Sequence, residues 1–87
     1  MATYFVYILK SLRDGNYYIG MTADLEKRVK CHCVGSVKST RNRRPLRLIY
    51  PEHFDSINEA RSRETYLKSY KGAGEKREII NRVSDSE

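Results

Sequence analysis

The sequence predicts an α+β domain in which a three-stranded, mostly antiparallel sheet is flanked by helices, with the element order ββαβαα. Two short runs of β-branched and aromatic residues flank an Asp14-Gly15 turn signal, a pattern typical of a β-hairpin. Helix-capping residues precede two later segments with helical periodicity. A further β-rich run, ended by a proline, lies between those two segments and supplies the third strand.

Length and composition indicate one domain. The chain has 87 residues, of which 39% are hydrophobic and 32% charged, enough for a modest core. We assign residues 1–82 to this domain and residues 83–87, of which the last four are polar, to a disordered tail. No apolar run approaches the roughly 20 residues that span a bilayer, and the N-terminus lacks signal-peptide features. We therefore expect a cytoplasmic protein, and a monomer.

The predicted hairpin pairs a strand at 4–9 with a strand at 17–21. An even-length loop between them places Tyr7, Tyr18 and Gly20 on the same face of the sheet. Gly20 leaves room there for another group to approach the backbone. The opposite face is a core surface formed by Tyr4, Val6, Ile8, Tyr17, Ile19 and Met21.

The first helix is expected from about Ala23 to Cys33, with Thr22 as its N-cap. Arg28 and His32 are four residues apart, so they lie on one helix face beside the apolar stripe of this helix. Cys31 and Cys33 flank His32, but residues two apart on a helix point about 200° away from each other. We therefore interpret both cysteines as reduced thiols rather than as a disulfide or zinc site.

The third strand is expected at 46–50, where Pro51 either closes it or confines it to a sheet edge. Ser56 precedes a second helix that runs to about Tyr70, and a short third helix is expected at 75–82.

Positive charge is concentrated in the middle of the chain. The net charge is +6, and no acidic residue lies between Glu26 and Glu52. A solvated basic loop would explain this, but arginine predominates, and guanidinium groups match phosphate oxygens. We expect DNA as the partner, with RNA as the alternative; an anionic membrane is disfavoured because no amphipathic helix carries the charge. The candidate nucleic-acid-binding residues are Lys38, Arg41, Arg43, Arg44 and Arg47.

Glu64 interrupts the apolar stripe of the second helix. Two interpretations are open at this point. The carboxylate either forms an i,i+4 ion pair with Lys68, or it points inward and holds a metal ion, because a buried charge must be paired or coordinate metal.

Together these residues resemble the GIY-YIG endonuclease family. Val6-Tyr7-Ile8 stands where the family has G-I-Y, and Tyr18-Ile19-Gly20 matches Y-I-G letter for letter. The helical arginine of the family matches Arg28, a histidine found in some members matches His32, and the metal-binding glutamate matches Glu64. The resemblance runs from Tyr4 to about Tyr70 and is greatest to small stand-alone members, which share a segment like Thr40 to Leu48. Lys68 and Asn81 are the candidates for the asparagine that many larger members carry.

The resemblance implies a metal-dependent DNA endonuclease in DNA repair or processing, with structure-selective cleavage as one form of that activity. It implies Mg²⁺ or Mn²⁺ as cofactor, Glu64 as metal ligand, and one concave, positively charged surface that carries the catalytic residues. Those residues are Tyr7, Tyr18, Arg28, His32 and Glu64.

The chemistry of these side chains fits that activity. One carboxylate with waters and a phosphate oxygen can hold Mg²⁺, and Arg28 can stabilise developing negative charge. A phenol is a poor base near neutral pH unless its anion is stabilised. Tyr7 is the preferred general base and Tyr18 the positioning group, but the two roles are interchangeable; His32 either assists proton transfer or binds phosphate. The alternative function is a non-catalytic nucleic-acid-binding module on the same fold.

Overall fold

A computed structural model describes residues 3–85, and its element order is the predicted ββαβαα. The sheet is antiparallel, with the strand order β2-β1-β3 and β1 at its centre. A 3₁₀ turn at Arg41–Arg43 precedes the third strand. The strands and helices are β1 (Tyr4–Ser11), β2 (Tyr17–Thr22), α1 (Leu25–Val34), β3 (Leu46–Phe54), α2 (Ile57–Lys68) and α3 (Ala73–Asp85).

The register of the β1–β2 hairpin confirms the predicted division of its two faces. Tyr7 lies opposite Gly20, and Leu9 lies opposite Tyr18. Because side chains of directly paired residues project to the same side of a sheet, these four residues share one face. The alternate residues of both strands project to the other face.

Each face of the sheet packs against its own helices. On one face, Ala60 and Leu67 of α2 and Ile79 of α3 join Val6 and Ile8 in a buried cluster. On the other face, Leu25 and Val29 of α1 pack against a cluster formed by Tyr7, Leu9 and Leu46. The sheet therefore separates the layer that contains α1 from the layer that contains α2 and α3.

Helix α1 begins two residues later than predicted, and its N-cap is Asp24 rather than Thr22. The Asp24 carboxylate accepts a hydrogen bond from the Lys27 amide at 3.1 Å. Thr22 is still in β2, and its hydroxyl accepts a hydrogen bond from the Asp24 amide, also at 3.1 Å. The prediction was wrong because two good capping residues stand close together, and the end of the strand decides between them.

Strand β3 does not end at Pro51 but continues to Phe54. Of the two predicted effects of Pro51, confinement to an edge is the correct one, because β3 pairs with β1 on one side and is an outer strand of the sheet. An edge strand tolerates proline because the missing amide hydrogen is not needed by a second neighbour.

The C-terminal helices also differ from the prediction at their ends. Helix α2 stops at Lys68, where the Ser69 hydroxyl donates to the Tyr66 carbonyl at 2.6 Å. Helix α3 starts at Ala73 and continues to Asp85, so the predicted disordered tail is wrong for residues 83–85; residues 86–87 lie outside the described residues. No helix within residues 3–85 is both long enough and apolar enough to cross a membrane.

An ion-pair network centred on Arg63 links three elements. From α2, Arg63 reaches Glu52 of β3 at 2.7 Å and also pairs with Glu75 of α3. Its guanidinium lies 5.7 Å from the ring centroid of Tyr66. The two carboxylates raise the pKa of Arg63, so the guanidinium stays charged in this network.

The close approach of the chain at Gly72 yields a stability prediction. A Cβ atom at Gly72 would collide with the Tyr66 carbonyl oxygen, whereas a Cβ atom at Gly74 meets no atom within 4 Å. Gly72→Ala should therefore lower the free energy of unfolding by about 1–3 kcal/mol, a cost typical of overpacking. Gly74→Ala, inside α3, should raise it by up to about 1 kcal/mol because alanine favours the helix.

Urea denaturation of the two variants beside the wild type measures both effects. Equal stabilities for Gly72→Ala and Gly74→Ala would contradict the described packing between the end of α2 and the start of α3.

Candidate active site

Tyr7 is the centre of the candidate site. It lies in the middle of the central strand and is only 1% exposed. Its hydroxyl faces Gly20 so closely that a Cβ atom at Gly20 would collide with it. The space that the sequence predicted beside Gly20 is thus filled by the phenol of Tyr7 itself, and glycine is required at this position.

His32 of helix α1 is hydrogen-bonded to the Tyr7 hydroxyl. The side chain is 0% exposed, with Nε2 at 2.9 Å from the Tyr7 oxygen and Nδ1 at 2.7 Å from Thr40 Oγ1. Burial, followed by the positive charge of Arg28, lowers the pKa of His32 below its ordinary value of 6.5. The imidazole is therefore neutral near pH 7. Both ring nitrogens are buried and engaged within the protein, so neither faces solvent where a phosphate could bind.

Arg28 lies one helical turn before His32, as its spacing predicted, and its guanidinium is near enough to act on the Tyr7 hydroxyl. Burial raises the pKa of Tyr7 above its ordinary value of 10.0, while the guanidinium of Arg28 lowers it and the charge of Glu64 raises it further. The phenol is accordingly protonated near neutral pH.

Tyr18 is the more accessible of the two phenols. Its ring centroid lies 6.4 Å from that of Tyr7 and 5.1 Å from that of His32. It is half-buried, whereas Tyr7 and His32 are buried. This placement suits a group that contacts the substrate or orients a water molecule.

Glu64 forms the ion pair that one of the two open interpretations predicted. It forms the i,i+4 ion pair with Lys68 at 3.0 Å, and its side chain is 21% exposed. Its carboxylate is also close enough for its charge to raise the pKa of Tyr7, although the helix that carries it packs on the other face of the sheet. The structure therefore brings Tyr7, Tyr18 and His32 into direct contact. Arg28 and Glu64 are near enough for their charges to act on the pKa of Tyr7.

The donor set fits a magnesium ion better than a closed metal site. Residues 3–85 contain no cluster of three or more histidine, cysteine or acidic side chains that would hold a metal by protein ligands alone. Mg²⁺ needs only one or two carboxylates, with waters and substrate phosphates completing its six ligands. Glu64 can supply one such carboxylate, with the exposed Lys68 as its neighbour. Asn81, the other candidate for the asparagine that many larger family members carry, lines a cavity with Tyr17 and Ala73.

The basic loop, residues 34–45, contains arginines of two kinds. Arg41 donates to the Gly35 carbonyl at 2.9 Å, and Arg44 donates to the Arg41 carbonyl at 2.9 Å, yet both are exposed. Arg43 instead is half-buried and forms an ion pair with Asp14 of the hairpin turn at 3.4 Å. Lys38 and Arg47 are exposed. Arg43 is thus engaged inside the fold, whereas the other four candidates face solvent.

Two buried hydroxyl residues of the site were not predicted from the sequence. Thr40 contacts His32, and Ser11 donates to the Arg43 carbonyl at 2.6 Å, which joins the basic loop to the first hairpin. Both are 0% exposed. The only signal for Thr40 was a threonine at the start of an arginine-rich segment, and nothing in the local pattern indicates that its partner is a histidine eight residues earlier.

Comparison with known proteins agrees with this geometry. A family model described as the GIY-YIG catalytic domain matches residues 3–78. A UPF0213 protein of Clostridium perfringens is 49% identical over 65 residues, which are 74% of this chain and 69% of the relative. A UPF0213 protein of Streptococcus pneumoniae is 42% identical over 82 residues, covering 93% and 81% of the two chains.

A solved structure is similar as well. The solution NMR structure of a UPF0213 protein from Bacillus halodurans matches with a TM-score of 0.54 and 35% identity, covering 91% of this chain and 83% of that one. With this fold, the matched domain and the paired phenols on one sheet face, the chain belongs to the GIY-YIG family and is a relative of the UPF0213 proteins.

Proposed function

We propose that the protein is a divalent-metal-dependent endonuclease that hydrolyses phosphodiester bonds in DNA, with RNA as the alternative substrate. The observation that carries this proposal is the buried Tyr7 hydroxyl, which is hydrogen-bonded to His32 Nε2 and lies near the guanidinium of Arg28. A buried polar contact of this kind is more than a sheet needs for stability, since a phenylalanine would fill the same space without any desolvated polar group. The arrangement supports a role in moving protons.

The proposed proton path avoids a free tyrosinate. Because burial raises the pKa of Tyr7, little of it is ionised near pH 7. A water molecule can instead pass its proton to the Tyr7 oxygen while the Tyr7 hydroxyl proton moves to His32 Nε2. The water oxygen then forms the new bond to phosphorus, and the departing oxygen takes a proton from solvent. In this proposal Arg28, whose charge acts on Tyr7, would stabilise negative charge that develops on the phenol and the phosphoryl group.

Glu64 is the residue that would hold the metal. A divalent cation supplies Lewis-acid polarisation of the phosphoryl group and stabilises the departing oxygen. The ion pair with Lys68 does not prevent this, because Lys68 is exposed and can turn away at the modest cost of a surface pair.

A non-catalytic nucleic-acid-binding module remains the second candidate. The observation that favours it is the same Glu64–Lys68 pair, which satisfies the carboxylate without any metal. The two functions differ in what Glu64 does, so removing its charge separates them.

Glu64→Gln removes the charge that would hold the cation but keeps the size of the side chain. Plasmid nicking in Mg²⁺ should fall by about 100-fold or more, because a metal contributes several kcal/mol to the barrier and each 1.36 kcal/mol is tenfold. DNA affinity without metal should stay level or rise slightly, since a negative charge is lost. Glu59→Gln, an exposed glutamate on the same helix, is the matched control and should cleave like the wild type.

Wild-type nicking in Glu64→Gln at saturating Mg²⁺ would remove Glu64 from the mechanism. A wild type that binds DNA but cuts no single-stranded, duplex, flap or branched substrate with Mg²⁺ or Mn²⁺ would favour the binding module.

The proton path predicts a pH dependence. His32 must be neutral to accept the Tyr7 proton, so the cleavage rate should rise with pH through the pKa of His32 and then level off. Because burial lowers that pKa, the midpoint should lie below 6.5. In His32→Gln this rise of the cleavage rate with pH should disappear, together with most of the activity. An unchanged rise in His32→Gln would mean that another group titrates.

The two exposed arginines of the basic loop give a binding prediction. Arg41→Gln with Arg44→Gln should weaken DNA binding for all sequences alike and reduce the log–log salt slope by about 0.7–0.9 for each lost phosphate contact. Arg61→Gln with Arg77→Gln removes the same charge from exposed positions on α2 and α3 and is the control. Equal changes in slope for the two pairs would show that net charge, not the loop, determines binding. Arg43 is left unchanged because its loss would also break the pair with Asp14.

A further inference from the structure

The hydroxyl of Thr40 is used in an unusual way. Thr40 is the N-cap residue of the 3₁₀ turn Arg41–Arg43, where a threonine hydroxyl ordinarily accepts from a backbone amide of the turn. Here it makes no such bond. It lies instead 2.7 Å from His32 Nδ1, and the whole residue is 0% exposed. The Thr40 hydroxyl therefore does not cap the turn and contacts His32, the residue that is hydrogen-bonded to Tyr7.

The backbone of Thr40 is held on both sides of that contact. Its amide donates to the Val37 carbonyl at 3.2 Å, and its carbonyl accepts from the Arg43 amide at 2.9 Å. A β-branched side chain such as threonine has few rotamers available on a fixed backbone. Thr40 Oγ1 is therefore a rigid partner for the imidazole rather than an adaptable one.

The burial of Tyr7 favours one position for the hydrogen of His32. Tyr7 is 1% exposed, so its hydroxyl hydrogen needs an acceptor inside the protein. His32 Nε2, at 2.9 Å, is the hydrogen-bond partner of that hydroxyl. A neutral imidazole that accepts at Nε2 carries its hydrogen at Nδ1, which can then donate to Thr40 Oγ1.

We propose that Thr40 is a positioning residue that holds His32 in the Nδ1–H tautomer, so that Nε2 is free to take the Tyr7 proton. The role in catalysis rests on the endonuclease function proposed above, whereas the tautomer does not. When the proton arrives, His32 becomes an imidazolium whose Nδ1–H remains bonded to Thr40, and the proton returns to solvent through Tyr7 after cleavage. Thr40 itself never touches the substrate.

The tautomer can be measured without any nuclease assay. Long-range ¹H–¹⁵N correlation spectra of the ¹⁵N-labelled full chain at neutral pH should show His32 protonated at Nδ1. His53, which is exposed, is the internal reference for a solvated histidine. An Nε2–H tautomer at His32 in the wild type overturns the proposal, whatever the activity of the protein.

Variants of Thr40 test whether its hydroxyl is the cause. Thr40→Ser keeps the acceptor and should keep the Nδ1–H tautomer. Thr40→Val has nearly the same shape but no acceptor, so His32 should shift toward the Nε2–H form. An unchanged tautomer in Thr40→Val shows that Tyr7 alone sets it and overturns the proposal. If Thr40→Val does not fold, Thr40→Cys replaces it, because a thiol is only a weak acceptor.

Cleavage kinetics test the consequence for catalysis. Thr40→Val should lower kcat by about 10- to 100-fold with little change in KM, the loss typical of removing a group that orients a functional histidine. Thr40→Ser should restore most of the rate, and Thr65→Val, an exposed threonine on α2, should have no effect. A rise in KM at unchanged kcat would place Thr40 in binding and overturn its positioning role. If the wild type cleaves nothing, the proposed nuclease function fails, and the spectra still decide the tautomer.

Discussion

The buried hydrogen bond between the Tyr7 hydroxyl and His32 is the constraint on which the other features of the site depend. Neither polar group can be left unpaired in the interior, because an unsatisfied buried donor or acceptor is costly. Glycine is required at position 20 to admit the phenol, and α1 must present His32 and Arg28 to the same face of the sheet. Because the central strand β1 carries Tyr7 as well as the core residues Val6 and Ile8, the candidate site and the hydrophobic core share one strand.

Much of this arrangement follows from local sequence pattern. The hairpin signal and the period-2 alternation predict that Tyr7, Tyr18 and Gly20 share a face, and the i,i+4 spacing predicts that Arg28 and His32 do. These predictions hold because each depends on a few neighbouring residues. The contact between His32 and Thr40 depends on how the loop after α1 folds back, and no periodicity encodes that path. The helix ends were missed for a similar reason, since tertiary contacts select among adjacent capping residues.

The basic loop shows what a count of charges cannot reveal. From the sequence, Arg41, Arg43 and Arg44 are equivalent cations in a stretch without acidic residues. In the fold, Asp14 lies far away in sequence but close in space, and it takes Arg43 as its partner. The other two guanidinium groups are braced by backbone carbonyls while staying exposed. The ion pair between Arg43 and Asp14 of the hairpin turn therefore decides which guanidinium groups of the loop remain available to a polyanion.

The ion pairs of Arg63 have a consequence for the orientation of helix α2. Exposed and half-exposed ion pairs add little stability, commonly 0–1 kcal/mol. Arg63, however, directly precedes Glu64, and successive helical residues point about 100° apart around the axis. By pairing with Glu52 of β3 and Glu75 of α3, Arg63 opposes rotation of α2 about its own axis. Such a rotation would change the direction of the neighbouring Glu64 side chain, so the same ion pairs help to fix the orientation of that carboxylate.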